Sequence, residues 1–275
     1  MKWKITMIAW LAAGLLLLTS CLFRPSADPQ PSTDGSSPQP GTPSAVVTVP
    51  MPSESPSIVL LASVVKKYDE TLLLAEISGQ TEDAYLIPYK NVPVLDAQGD
   101  PISAEQIQPG KIVAVSYDGL ILSTYPAQFT PTQIQLEDKP DSAVALYARV
   151  LDDLYQQDPG LNQDVSILAF DFTGENLLTP AEQNALCYLM GCTYQKETLI
   201  GTFDMLCQKG YIDQEAMLFP DGLLFTLSDT VQEDQTVTFS VSKWRSGLGA
   251  VGWDDCTAQR GENGWMYLAR ETWIS

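Results

Sequence analysis

The sequence predicts a mixed fold: a small all-β barrel of OB type over residues 58–138, followed by an α+β domain over residues 139–275 in which helices pack on an antiparallel sheet. Three observations lead there. Between Ile58 and Glu137, short β-branched and apolar runs alternate with turn signals. From Asp141 onward, apolar residues recur at helical spacing behind capping residues. Beyond Leu223 strand-like runs return, so helices come first and strands last.

Before either domain, Lys2 and Lys4 precede an apolar run from Ile5 to Leu18 that only Thr6 interrupts. Its 14 positions suit the apolar region of a secretory signal and fall short of the ~20 that span a bilayer as a helix. Residues 1–20 are therefore read as a signal peptide. The stretch Leu18-Thr19-Ser20-Cys21 resembles the lipobox of bacterial lipoproteins, which implies a diacylglyceryl group on Cys21 and cleavage that leaves Cys21 first. Two acyl chains are the minimum for durable anchoring. The expected location is the extracytoplasmic side of the cell membrane, held by lipid. Pro, Ser, Thr and Gly fill 22 of the 36 positions from 22 to 57, too little apolar surface to offset chain entropy. Residues 21–57 thus read as a lipidated, disordered stalk, reaching on the order of 110 Å if extended as polyproline.

In the first domain, Ile58 to Val65 and Thr71 to Ile77 are β-rich and flank a polar turn, and Tyr85 to Tyr89 is a third strand. Ser103 and Gln106 have capping-box spacing for one helical turn before Pro109-Gly110. Asp118-Gly119 between Ile112–Tyr117 and Leu120–Tyr125 predicts a two-residue type I′ hairpin, and Gln133 to Glu137 a closing strand. Six or so short strands with one brief helix suit a small closed barrel. The stretch from Gly110 through Tyr117-Asp118-Gly119 to Tyr125-Pro126-Ala127 resembles a barrel domain of unknown function in exported Firmicutes lipoproteins; the likeness implies location and fold only.

In the second domain, Val144, Tyr147, Val150, Leu151 and Leu154 form one helical stripe after Asp141 as N-cap, ended by Asp158-Pro159-Gly160. Val165 to Phe172 follows as a strand. Thr179, Pro180 and Glu182 supply the N-cap, first-turn proline and capping-box partner of a second helix. A third helix is expected from Leu199 to Lys209, then strands at Leu223–Leu227 and Thr236–Trp244 and a final pair joined by Asn263-Gly264. The run Lys243-Trp244-Arg245-Ser246-Gly247-Leu248-Gly249, with Gly252-Trp253-Asp254-Asp255-Cys256 after it, resembles uncharacterised clostridial lipoproteins and implies a shared fold without an activity.

Charge narrows the partners. Without Lys2 and Lys4 the chain carries 34 acidic and 13 basic side chains, a formal balance of −21. It is −7 over 58–138, from 11 acidic and 4 basic residues, and −12 over 139–275, from 20 and 8. An OB barrel binds nucleic acid in a positive groove, which a balance of −7 removes, so nucleic acid is excluded and Tyr117 and Tyr125 are read as barrel core.

Gly247-Leu248-Gly249-Ala250-Val251-Gly252 matches the dinucleotide pattern, but only 23 residues follow it, too few for the required helix, second parallel strand and acid. The glycines are read as a bend or bulge between strands. Asp171-Phe172-Thr173-Gly174 has one residue too many for an aspartic-protease loop and is read as a strand end. The chain holds no histidine, which excludes Ser-His-Asp and Cys-His catalysis, and no calcium-loop motif occurs. No catalytic residue, metal site or cofactor is predicted.

Two function classes follow. The favoured one is a non-catalytic module that binds a cell-wall component, a partner protein or a cationic peptide; the other is a His-free carboxylate hydrolase acting on cell-wall glycan. The candidate binding surface is Trp244, Arg245, Trp253, Asp254 and Asp255, which crowd indoles, a cation and acids around glycines. Cys187, Cys192, Cys207 and Cys256 form an even set in an oxidising compartment. Cys187 and Cys192 are awkward partners for each other, so bridges from them to Cys207 and Cys256 are expected; four free thiols or a four-cysteine zinc site are the alternatives.

Overall fold

The computed structural model describes residues 58–175, 177–232, 236–261 and 264–275. The signal segment, Cys21, the stalk and Asn263 of the final turn lie outside the described residues. Those described belong to a single compact unit.

The first sheet contains β1 (Ile58–Lys67), β2 (Thr71–Glu76), β3 (Ala84–Pro88), β4 (Val94–Leu95), β5 (Ile112–Tyr117) and β6 (Pro131–Leu136) in the order β3-β2-β1-β5-β6-β4. Among these strands β4 and β6 pair in parallel, and β3 makes a parallel bridge from Tyr85 to Ala127. The expected OB-type closed barrel is therefore corrected to an open mixed sheet with β3 and β4 at its edges. One cause is the turn after β5. A type I′ turn needs positive φ at both central residues, but Gly119 has it and Asp118 does not. The Asp118 carboxylate accepts the Leu120 N–H instead. Leu120, Ile121, Leu122 and Tyr125 end up exposed, so the hairpin's second limb is missing and Tyr125 is not core, whereas Tyr117 is buried. β5 pairs with β6 in its place.

Both faces of this sheet are covered. Leu72 and Leu74 pack with Ile87, Val113 and Ile134, while Leu73 and Ala75 face away from that cluster and join helical residues. The unbroken run Leu72-Leu73-Leu74-Ala75 is the signature of a strand buried on both sides.

The second sheet contains β7 (Ile167–Gly174), β8 (Glu197–Ile200), β9 (Gly222–Val231), β10 (Val237–Ser246), β11 (Gly249–Gly261) and β12 (Gly264–Leu268) in the order β12-β11-β10-β9-β7-β8, with β13 (Glu271–Ile274) also on β11. β7 runs parallel to both β8 and β9. The expected antiparallel sheet is thus corrected to a mixed one. The missing element was β8, which the sequence reading absorbed into a helix at 199–209. In the structure Thr202 caps a short α3 (Phe203–Gln208), accepting from the Met205 N–H. That frees residues 197–200 to pair with β7 after a helical crossover, a connection that makes neighbouring strands parallel.

Two longer helices separate the sheets. α1 (Val144–Gln156) begins after Ala143, with Ser142 accepting from the Val144 N–H; Asp141, the expected cap, pairs instead with Lys111 at 2.9 Å. α2 (Pro180–Tyr194) starts in the predicted capping box of Thr179 and Glu182. Val65, Leu73, Ala75 and Ala84 of the first sheet share one core with Leu151 and Leu186 of the helices and Phe170, Phe225 and Phe239 of the second sheet. The architecture is three layers, sheet, helices and sheet.

Candidate functional site

Strand alternation gives the second sheet two different faces. Leu223, Phe225 and Leu227 of β9 and Val237, Phe239 and Val241 of β10 are buried toward α1 and α2. The alternate residues beyond Leu224 on β9 and before Trp244 on β10 are short and hydroxylated: Thr226, Ser228 and Thr230 on β9, Thr238, Ser240 and Ser242 on β10, all half-buried or exposed. Register places Asp171, Thr226, Ser242, Gly252 and Trp273 side by side in one row across five strands. α3 covers only one end of this face, where Leu206 packs on Ala169 and Leu224, with Phe203 and Trp244 beside them.

Two indoles border the hydroxyl rows. At Gly252 an added Cβ would lie 2.4 Å from a Trp273 ring carbon, so the absence of a side chain lets the indole lie directly on the backbone. Trp273 remains 36% exposed there. Trp244 sits one row away, edge-on to Phe203 at 5.3 Å between centroids.

The face runs into a crevice of about 250 Å³ at the carboxyl ends of β7 and β8, lined by Asp171, Thr173, Gln183, Ile200, Thr202 and Met205. α2, which leaves β7, belongs to the helical-layer core, whereas α3, which leaves β8, packs on the other side of the sheet. Such a reversal opens a gap where ligands of open α/β sheets commonly bind. The Asp171 carboxylate is oriented by the N–H and hydroxyl of Thr173 at 3.0 and 2.6 Å.

The structure does not gather the predicted binding residues on one surface. Trp253 is 6% exposed in the helical-layer core, beside Tyr267. Trp244 lies on the opposite face with α3. Arg245 donates to the carbonyls of Leu161, Gln163 and Pro220 at 3.1, 2.7 and 3.3 Å and so ties loops to β10. Asp254 and Asp255 sit in a bulge opposite Ser240, with Asp255 at φ +50.

Cys187, Cys192, Cys207 and Cys256 are free thiols, so the expected bridges are absent from the structure. Cys187 and Cys256 both belong to the helical-layer core, while Cys207 packs on the other side of the sheet. Burial pushes the Cys187 and Cys256 thiols up, keeping them protonated.

Acids collect on the helix side. The Tyr147 hydroxyl donates to buried Asp229 at 2.5 Å. Burial, then the nearby Asp229 carboxylate, raise the pKa of Glu175 to about 7, against the lowering pull of the Leu177 and Leu178 amides. Among the described residues no group of three or more His, Cys, Asp or Glu side chains is placed to hold a metal ion, and no helix is long and apolar enough to cross a membrane. The sequence reading missed the hydroxyl face, although Thr226-x-Ser228-x-Thr230 and Thr238-x-Ser240-x-Ser242 display it as strict alternation.

No family model and no curated protein matches the chain. Among solved structures, a yobA protein from Bacillus subtilis is 14% identical at a TM-score of 0.24, covering 30% of this chain and 98% of its own. The asparaginyl-tRNA synthetases of Entamoeba histolytica and Pyrococcus horikoshii are 7% and 9% identical at TM-scores of 0.26 and 0.21. This chain covers 70% and 71% of its own length in those matches and spans about half of each synthetase, 50% and 49%. At such scores the likenesses carry no argument about fold or activity.

Proposed function

We propose that this chain is a lipid-anchored extracytoplasmic module that binds, without chemically altering, a neutral cell-wall glycan on the open face of its second sheet. The observation that carries the reading is the row Asp171, Thr226, Ser242, Gly252 and Trp273, in which hydroxyls and a carboxylate end at an indole laid flat on a glycine. A sugar ring presents hydroxyl edges and C–H faces, and this surface offers a partner for each: Ser and Thr hydroxyls donate and accept, and an exposed indole stacks. A mature balance of −21 repels anionic polymers and favours an uncharged ligand. Binding fits better than hydrolysis because Asp229 and Glu175 lie on the helix side and Asp171 on the open side. A glycosidase needs its two carboxylates flanking one bond.

The lipid anchor rests on the Leu18-Thr19-Ser20-Cys21 pattern: Cys21→Ala is expected to abolish fatty-acid labelling and membrane partitioning. For the glycan site the probe is a soluble oligomer of N-acetylglucosamine, titrated calorimetrically. Wild type should bind saturably; Trp273→Ala, and Thr226→Val combined with Ser242→Val, should each weaken binding at least tenfold with melting nearly unchanged. Undiminished binding by these variants would sink the site, and release of reducing ends would replace binding with hydrolysis.

A further inference from the structure

A different cleft, between the first sheet and the helices, has the composition of a small-molecule site. It begins with a β-bulge: the pairing of β1 with β2 steps from Val64 to Lys66 and leaves Val65 as the extra residue. Bulges re-aim side chains and disturb the ladder beside them. Here Val65 is buried against the helices while Lys66 is exposed at the mouth of a cleft of about 290 Å³. The apolar lining is Val65, Ala145, Ala148, Leu189 and Met190. The charged lining is Lys66, Arg149 and Asp152.

These three charges are not consumed by one another. Among the described residues Lys66 makes no ion pair. Arg149 touches Asp153 through Nε at 3.6 Å and lies over the Tyr267 ring, and among the described residues its terminal N–H groups hold no other partner. Asp152 accepts from the Tyr194 hydroxyl through Oδ1 at 2.5 Å, and Tyr194 is itself stacked on Tyr155 at 3.6 Å and accepts from Gln156. The Asp152 carboxylate is thus oriented with its second oxygen available. Two cations and one oriented carboxylate around an apolar lining are complementary to a molecule carrying an anion, a cation and a hydrocarbon group. The volume lies at the lower end of the ~300–1,000 Å³ of small-molecule pockets, too small for a glycan chain.

We infer that this cleft binds a free α-amino acid with an apolar side chain, its carboxylate held by Lys66 and Arg149, its ammonium by Asp152, and its side chain on the alanines, Leu189 and Met190. The site is separate from the glycan face and does not depend on it.

Titration calorimetry on the full mature chain with L-leucine tests the inference, beside two analogues: 4-methylpentanoate, which lacks the ammonium, and 3-methylbutylamine, which lacks the carboxylate. Saturable binding of leucine is expected, at least tenfold weaker for either analogue. Lys66→Met should weaken leucine at least tenfold without moving the melting temperature, since among the described residues the Lys66 ammonium holds no partner. Asp152→Asn should weaken leucine tenfold yet leave 4-methylpentanoate unchanged, and Trp273→Ala should leave leucine binding intact. The inference is overturned if wild type shows no saturable leucine binding, if 4-methylpentanoate binds as tightly as leucine, or if Lys66→Met binds like wild type.

Discussion

Lys243, next in sequence to the candidate binding residues Trp244 and Arg245, is a charged side chain that serves the fold. It is fully buried, and its ammonium donates to the carbonyls of Tyr155, Gln157 and Asp158 and to the Asn162 side chain. These carbonyls lie at and just beyond the C-terminus of α1, where orphan acceptors and the helix dipole favour a cation. Burial nonetheless lowers its pKa to about 8. Glu175 is the opposite case, a carboxyl whose pKa rises to about 7 through burial and then Asp229. Its folded value exceeds its unfolded one, so in the window from about 4.5 to 7 the native state binds more protons than the unfolded chain. Its stabilising contribution is complete below that window and is lost as pH rises through it. Melting temperature should therefore decline between pH 5 and pH 8, and Glu175→Gln, which cannot ionise, should flatten that decline. An unchanged slope in the variant would assign the pH dependence to other groups.

At the scale of elements, what was legible depended on how locally each signal is encoded. The capping box of α2 was read directly from Thr179, Pro180 and Glu182 because its chemistry closes within four residues. β8 was missed because Glu197–Ile200 is short and its strand identity comes from β7, far away in sequence. The Asp118-Gly119 signal misled because turn preference does not guarantee a partner for the second limb. The Gly247–Gly252 run was read as a bend or bulge between strands; only Gly247 and Leu248 turn β10 into β11, the rest is strand, and its use at Gly252, admitting the Trp273 indole, needed the register of β11 with β13. Glu182 extends the same lesson. Besides closing the capping box it accepts from Ser63 of β1 and from Ser142 before α1, so one carboxylate links three elements. Thr179→Ala should cost ~1 kcal/mol, the usual value of a lost N-cap. Glu182→Ala also strands the buried Ser63 hydroxyl, worth roughly 1–3 kcal/mol, and removes the Ser142 link, and should cost at least twice as much in chemical denaturation. Equal losses would show that the links to Ser63 and Ser142 add nothing.

For the whole molecule, the sequence separates a β-rich half from a half that begins with helices, but the fold places α1 and α2 between two sheets. The hidden term was the outer face of the first sheet. A free-standing barrel would leave Leu73, Ala75 and Ala84 facing water, yet all three are fully buried in the core that α1 and α2 share with the second sheet. Neither sheet keeps that surface covered without the helices, so loss of either should destabilise the other, and the described residues should unfold in one cooperative step. The tryptophans offer a clean test, because Trp244, Trp253, Trp265 and Trp273 all belong to the second sheet and none to the first. Leu73→Ala empties a fully buried position in the first sheet, a change that costs ~2–5 kcal/mol. If the layers are coupled, the tryptophan-fluorescence transition falls by as many degrees as the far-ultraviolet circular-dichroism transition, although no tryptophan lies in the altered sheet. Should the fluorescence transition stay at its wild-type temperature while circular dichroism reports an earlier melt, the two halves fold independently, and the shared helical layer is contact without cooperativity.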